Sequence, residues 1–148
     1  MSIEIVPVTA AHKFHWLPLW AGYLEFYRET LTAAQTELTW NRLLDPDFNA
    51  FGLVAVDGDR VLGFTNYTFT NSTWDARPNI YLEDLFVDPA ARGGGIGRAL
   101  IDAVTDIARK DGLRQVYWIT HRDNATARSL YDSLATLSEF VRYDRPVD

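Results

Sequence analysis

The chain contains no cysteine, which excludes a disulfide framework, a thiolate nucleophile and cysteine-ligated zinc. It has no apolar run long enough to cross a bilayer. Its first residues, MSIEIVPVTAAHKFHW, lack the basic end and apolar stretch of a secretory leader. The expectation is a cytoplasmic protein with no membrane partner. Basic residues are scarce as well: 14 Lys and Arg against 20 Asp and Glu leave a net charge of −6. Bulk nucleic-acid binding needs a basic face to displace counterions from phosphates, so no nucleic-acid partner is expected. His12, His15 and His121 show no ligand spacing, so no metal is expected. Linkers, repeats and low-complexity segments are missing too, and residues 1–148 read as a single domain.

What is present is an ordinary globular balance, 47% hydrophobic and 23% charged, in a chain long enough to bury a full core unaided. The charge is uneven. Met1 to Ala90 holds five basic and twelve acidic side chains, a net of −7, whereas Ala91 to Asp148 holds nine and eight. An acidic first part suits a cationic partner and a more basic second part an anionic one; a solvated surface with chance fluctuation gives the same count.

Hydrophobic periodicity gives the elements. Ile3 to Val6 reads as a strand ended by Pro7. His12 to Thr30 reads as an amphipathic helix through Leu19, Tyr23, Phe26 and Tyr27, with Pro18 near its first full turn. Thr32 to Leu44 reads as a second helix. Phe51 to Val56 and Val61 to Thr70 flank Asp57-Gly58-Asp59 as an antiparallel hairpin. Ile80 to Val87 is a strand stopped by Asp88-Pro89. A helix then carries Ile96, Leu100, Ala103, Val104, Ile107 and Ala108 on one face, closed by Gly112. Val116 to Thr120 is a strand, Asn124 can cap a short helix, and Phe140 to Tyr143 is a last short strand. A hairpin leading into a strand–helix–strand crossover predicts an α/β (α+β) fold. Its sheet is mixed, mostly antiparallel and twisted, with helices on both faces.

The segment that carries chemistry is YLEDLFVDPAARGGGIGRAL, Tyr81 to Leu100. A strand ends, a Gly-rich turn follows and a helix starts at once. Amides at a helix start lack intrahelical partners, and the macrodipole places partial positive charge there. Glycines let the main chain approach an anion, so Arg92, Gly93, Gly94, Gly95, Ile96, Gly97 and Arg98 have the design of a diphosphate cradle. The Gly-Lys-Ser/Thr ending of a nucleoside-triphosphatase loop is missing, since Arg98 and Ala99 follow Gly97. The third glycine of the dinucleotide fingerprint is missing as well. A turn that merely links strand to helix has the same composition.

The spacing Arg92-x-x-Gly95-x-Gly97, after Val87-Asp88-Pro89, resembles the loop with which the GNAT acyltransferase superfamily binds the pyrophosphate of acetyl-CoA. Asn124-Ala-Thr-Ala-Arg-Ser-Leu-Tyr131 looks like that superfamily's later helix with its tyrosine, and the order of elements matches nearly the whole chain. Tyr81-Leu82-Glu83-Asp84-Leu85-Phe86-Val87, preceded by Tyr67-Thr-Phe-Thr and Trp74, resembles the branch of diamine, polyamine and yeast-type histone/polyamine acetyltransferases. One departure is the lack of a glycine after that helix, in Leu130 to Ser138.

The resemblance implies an N-acetyltransferase using acetyl-CoA as cosubstrate on a small-molecule amine, and a homodimer. An aliphatic ammonium has a pKa of about 10.4, so about one molecule in a thousand is neutral near pH 7 and a proton acceptor is expected. By resemblance Glu83 is the base, working through water, Tyr131 the acid that protonates the leaving thiolate, and Asp84 the group that binds a distal ammonium. Glu83 and Asp84 are adjacent on a strand and face opposite sides unless a bulge intervenes. Main-chain groups of Leu85, Phe86 and Val87 would pair with the pantetheine arm, using a sheet edge that a splayed neighbour leaves open. Asn124 would reach the same arm or simply cap its helix. Tyr23, with Trp20, Tyr27 and Glu25, is a candidate substrate wall, and the same aromatics suit a core or a dimer contact. Trp74, in a loop, is a further substrate contact. Protein lysine or N-terminal acetylation, a CoA-binding regulatory module without turnover, and a different acyl group remain alternatives at this point.

Overall fold

The computed structural model describes residues 2–148. Its elements in chain order are β1 (Glu4–Pro7), α1 (Lys13–Phe26), α2 (Ala33–Leu44), β2 (Phe51–Asp57), β3 (Arg60–Thr70), β4 (Asn79–Val87), α3 (Ile96–Lys110), β5 (Val116–Tyr117) and α4 (Ala125–Leu134), with single 3-10 turns at Ala10–His12 and Pro89–Ala91. The chain divides into two compact units, one running to Trp118 and one spanning Ile119–Asp148.

The first unit is a five-stranded sheet in the order β1-β2-β3-β4-β5. β1 to β4 are antiparallel neighbours and β5 joins β4 in parallel, so the predicted mixed sheet is present. Alternation along β3 separates the two faces. Phe64 is fully buried under α1 and α2, in a cluster with Trp16, Leu19, Trp20, Trp40 and Leu43. Gly63, next to it in sequence, faces Ile96 and Leu100 of α3. The helices therefore cover both sides. α3 is strongly amphipathic and buries Ile96, Leu100, Ile101, Val104 and Ala108.

α1 differs from its expected form. It starts after a 3-10 turn, stops at Phe26, and takes Pro18 into its interior. Pro18 is exposed, as is Phe14 four residues before it, so the carbonyl left without a donor lies on the water side. Phe26, expected on the buried face, is 53% exposed. α2 begins as predicted, with Thr32 Oγ1 accepting from the Gln35 amide at 3.0 Å.

The second unit holds α4 and the chain beyond it. Asn124 caps α4, its Oδ1 accepting from Ala127 N–H at 3.4 Å. The helix ends where Ala135 turns extended, at φ −150°. The expected strand at Phe140–Tyr143 does not form. An isolated extended segment has no ladder partner within this unit, and β propensity alone does not make a strand. Phe140, Val141 and Tyr143 are exposed, and Ser138 Oγ holds the Phe140 amide locally at 3.0 Å. β5 is likewise shorter than expected, stopping at Tyr117.

Candidate active site

The cradle follows β4. Asp88 ends the strand by accepting from Ala90 N–H at 3.0 Å, which turns the chain through Pro89–Ala91. Gly93 and Gly95 then take φ of +88° and +80°, a region that favours glycine. No atom of the described residues would meet a Cβ at either position within 4 Å, so the space above them is open. Gly95 is the N-cap of α3 and has no side chain to close it. The first intrahelical bond runs from Ala99 N–H to the Gly95 carbonyl at 3.0 Å, leaving the Ile96 and Gly97 amides ahead of the helical ladder. These amides and the helix dipole suit a diphosphate. Ile96 is buried, and Gly63 admits it and Leu100 against β3, which fixes the mouth of the helix. Arg92 folds back on the strand: its Nε donates to the Val87 carbonyl at 3.2 Å and its guanidinium lies 5.4 Å from the Phe86 ring centre.

β5 pairs with β4 only at Ile80↔Val116 and Tyr81↔Tyr117. Past Tyr81, among the described residues, no strand continues the ladder on that side, while the opposite edge remains paired to β3 as far as Val87. The edge at Leu85, Phe86 and Val87 is thus open to an extended chain bearing amides. Cradle and edge together fit a cofactor with a diphosphate and a pantetheine arm.

The acidic pair lies on the same strand. The β3–β4 register passes from Asn66↔Asp84 to Tyr67↔Leu82, which leaves Glu83 as the extra residue of a β-bulge. The bulge interrupts the alternation that would send the two carboxylates to opposite faces. Asp84 points toward α1. Its Oδ1 accepts from the Tyr23 hydroxyl at 2.7 Å, its Oδ2 from Asn66 Nδ2 at 3.1 Å, and its main-chain carbonyl from Thr65 Oγ1 at 2.7 Å. Among the described residues neither Glu83 nor Asp84 forms a salt bridge. Burial pushes the Asp84 carboxyl up, against the opposing effect of its two hydrogen bonds. Glu83 is pushed up by burial and then by the Asp84 charge. The Tyr23 hydroxyl is pushed far up, by burial and then by Asp84.

The structure therefore brings Tyr23, Glu83 and Asp84 together, at the strand that runs on through Leu85–Val87 toward the 92–98 turn. Tyr23 reaches the site as a partner of Asp84. Trp20 is a buried core ring stacked on Trp16 and Tyr23. Glu25 lies about 200° around the helix from Tyr23, in a separate open depression of about 450 Å³ lined by Leu24, Arg28 and Leu31 among others. Trp74 stands 78% exposed on the 71–78 loop, where its amide donates to Ser72 Oγ at 3.0 Å. Asn124 and the half-buried Tyr131 belong to α4 in the other unit, where Asn124 Nδ2 also meets Thr120 Oγ1 at 3.4 Å. Sequence reasoning missed Asn66. Its signal was an amide in the middle of a strand of apolar, aromatic and threonine residues, RVLGFTNYTFT.

The profile of the acetyltransferase (GNAT) family matches residues 16–135. The D-amino-acid N-acetyltransferase HPA3 of Saccharomyces cerevisiae is 33% identical over 133 residues, 88% of this chain and 82% of that protein. The thialysine N-epsilon-acetyltransferase of Bos taurus is 42% identical over 77 residues, 52% of this chain and 45% of the other. Among solved structures, the aminoglycoside acetyltransferase AAC(6')-Iy with a CoA-based bisubstrate analogue superposes over the whole length of both chains, with a TM-score of 0.85 at 20% identity, a likeness of fold. The match of the family profile, with a relative one third identical over most of both chains, places the chain in the GNAT family as an acetyl-CoA-dependent N-acetyltransferase.

Proposed function

We propose that the acceptor is a primary amine on a small cationic molecule, a diamine, polyamine or lysine-like amino acid. One observation carries this reading: two carboxylates lie side by side at the β4 bulge, on the strand of the open edge, with no cationic side chain among the described residues in a salt bridge to either. An acceptor's ammonium groups supply the missing charge. The activities for which the relatives are named, on D-amino acids and thialysine, agree with a small amine-bearing acceptor. A regulatory module without turnover gains no support, because the relatives are named as enzymes.

The chemistry follows from the groups available. The amine must lose a proton before its lone pair can attack the thioester carbonyl. Glu83, raised by its surroundings toward neutrality, takes that proton through water. The nitrogen–carbon bond forms, the carbon–sulfur bond breaks, and the sulfur leaves as a thiolate. Tyr131 then gives its phenolic proton to the sulfur, a role that rests on the motif of α4. Arg92 to Arg98 hold the diphosphate, and Leu85, Phe86 and Val87 pair with the pantetheine arm, with Asn124 as a further contact. Trp74 and Glu25 would contact longer acceptors from outside this centre.

The family profile runs across both compact units, which supports one functional domain over 1–148. A cytoplasmic homodimer remains part of the reading; exposed Phe14, Phe140 and Tyr143 favour a subunit contact. The deciding experiment follows thiol release from acetyl-CoA with a panel of amines. Diamines or lysine-like amino acids should give the highest kcat/KM. Faster turnover of neutral or anionic acceptors would end the cationic reading.

A further inference from the structure

Asp84 is held unlike a surface carboxylate. Each oxygen accepts from a neutral donor, Tyr23 from α1 and Asn66 from β3. Both donors are themselves fixed. The Tyr23 ring stacks on Trp20 at 5.5 Å and meets Tyr27, Phe64 and Phe86 edge-on at 5.1, 5.8 and 6.0 Å. Beside it, a Cβ on Gly22 would stand 3.3 Å from the Phe86 ring, so a glycine lets α1 approach β4 closely enough for the hydroxyl to reach. Asn66 is 6% exposed and sits opposite Asp84 at the edge of the bulge.

We infer that Tyr23 and Asn66 are positioning residues that clamp Asp84 as a charged anchor for the second cationic group of the acceptor. Through this clamp α1 sets the preference for dications over monocations. The inference rests on the cationic-acceptor reading and deepens it. Two neutral donors orient a carboxylate and favour its ionised form without cancelling its charge. A lysine or arginine in their place would pair with it and shut the anchor. Glu83, one residue earlier, is left to the reacting nitrogen.

The groups that act on Asp84 are few. α1 offers Tyr23, with Tyr27 behind it, β3 offers the neutral Asn66, and Glu83 lies alongside on β4. Both hydrogen bonds lower the Asp84 pKa, so losing either raises it, and the anchor then loses its charge at higher pH.

The test compares 1,4-diaminobutane with 1-aminobutane as acceptors for the wild type, Tyr23→Phe and Asn66→Leu. Tyr23→Phe keeps the ring and removes only the hydroxyl. The expected result is a KM for the diamine raised about tenfold, the scale of one hydrogen bond to a charged group. The KM for acetyl-CoA should stay unchanged, the KM for the monoamine should move far less than that for the diamine, and the acidic limb of kcat/KM for the diamine should move up by about one pH unit. Asn66→Leu should repeat the pattern, which covers the case where one variant folds poorly. A carboxyl carbon titration by NMR reads the Asp84 shift without turnover. Equal KM changes for both amines, or an unmoved Asp84 titration in either folded variant, would overturn the clamp. A wild type that acetylates neither amine refutes the acceptor reading itself.

Discussion

Gly63 offers a direct test of how the fold builds the cofactor site. A methyl group added there would lie 3.0 Å from the Phe86 carbonyl oxygen, 3.2 Å from Ile96 Cγ2 and 3.4 Å from Leu100 Cδ1. The first neighbour is main chain of the adjoining strand and cannot swing aside. The other two belong to the first turns of α3. Gly63→Ala must therefore widen the β3–β4 pair at Gly63↔Val87 or lift the start of α3 by a few tenths of an ångström. Overpacking of this kind costs about 1–3 kcal/mol. For a chain of this size that lowers Tm by about 2–12 °C, taking roughly 2–4 °C per kcal/mol. The same movement carries the Ile96 amide out of line with the diphosphate, so CoA affinity should fall by about tenfold. Thermal unfolding followed by circular dichroism reads the first effect, and calorimetric titration with CoA the second. A variant that melts within about 1 °C of the parent and binds CoA equally well would show that the mouth of α3 is not set by this contact.

Gly95→Ala places a side chain at φ +80°, and strain of about 1 kcal/mol with a crowded anion site should weaken CoA in the same titration while leaving the amine KM unchanged. Tyr131→Phe should lose most of the turnover yet bind CoA as before; equal kcat would remove the phenol from its role. Glu83→Gln should abolish the acidic limb along with most activity in a pH-rate profile. The same variant should gain stability: burial and Asp84 raise the Glu83 pKa in the folded state, so the wild type loses stability as pH rises from the unfolded value through the folded one. Its melting temperature should exceed the parent's at about pH 8 and match it at about pH 3, where both forms are neutral.

The turn before α3 and the start of that helix were legible because their causes are local. Gly93 and Gly95 mark positive φ, and Ile96, Leu100, Val104 and Ala108 repeat at helical spacing, so turn and helix start are both written in adjacent residues. The open edge could be expected but not located, since its extent depends on where β5 stops pairing. The bulge at Glu83 depends on the register against β3, a relation between distant segments, and adjacent carboxylates in one strand carry no sign of it. Pairing of Tyr23 with Asp84 joins residues 61 positions apart; periodicity gave only that Tyr23 lay on a helix near apolar neighbours. Phe140 to Tyr143 show the reverse error: residues suited to a strand remain irregular when no ladder is at hand.

A helix that opens on glycine lacks the oxygen that serine, threonine or aspartate would lend to its first turn. With the proposed cosubstrate absent, water can take that place at the leading amides of α3, and their protons should exchange with deuterium quickly. Occupancy by the nucleotide end of the cosubstrate would replace that solvent, so exchange at Ile96 and Gly97 becomes a clock for how long each cosubstrate molecule stays.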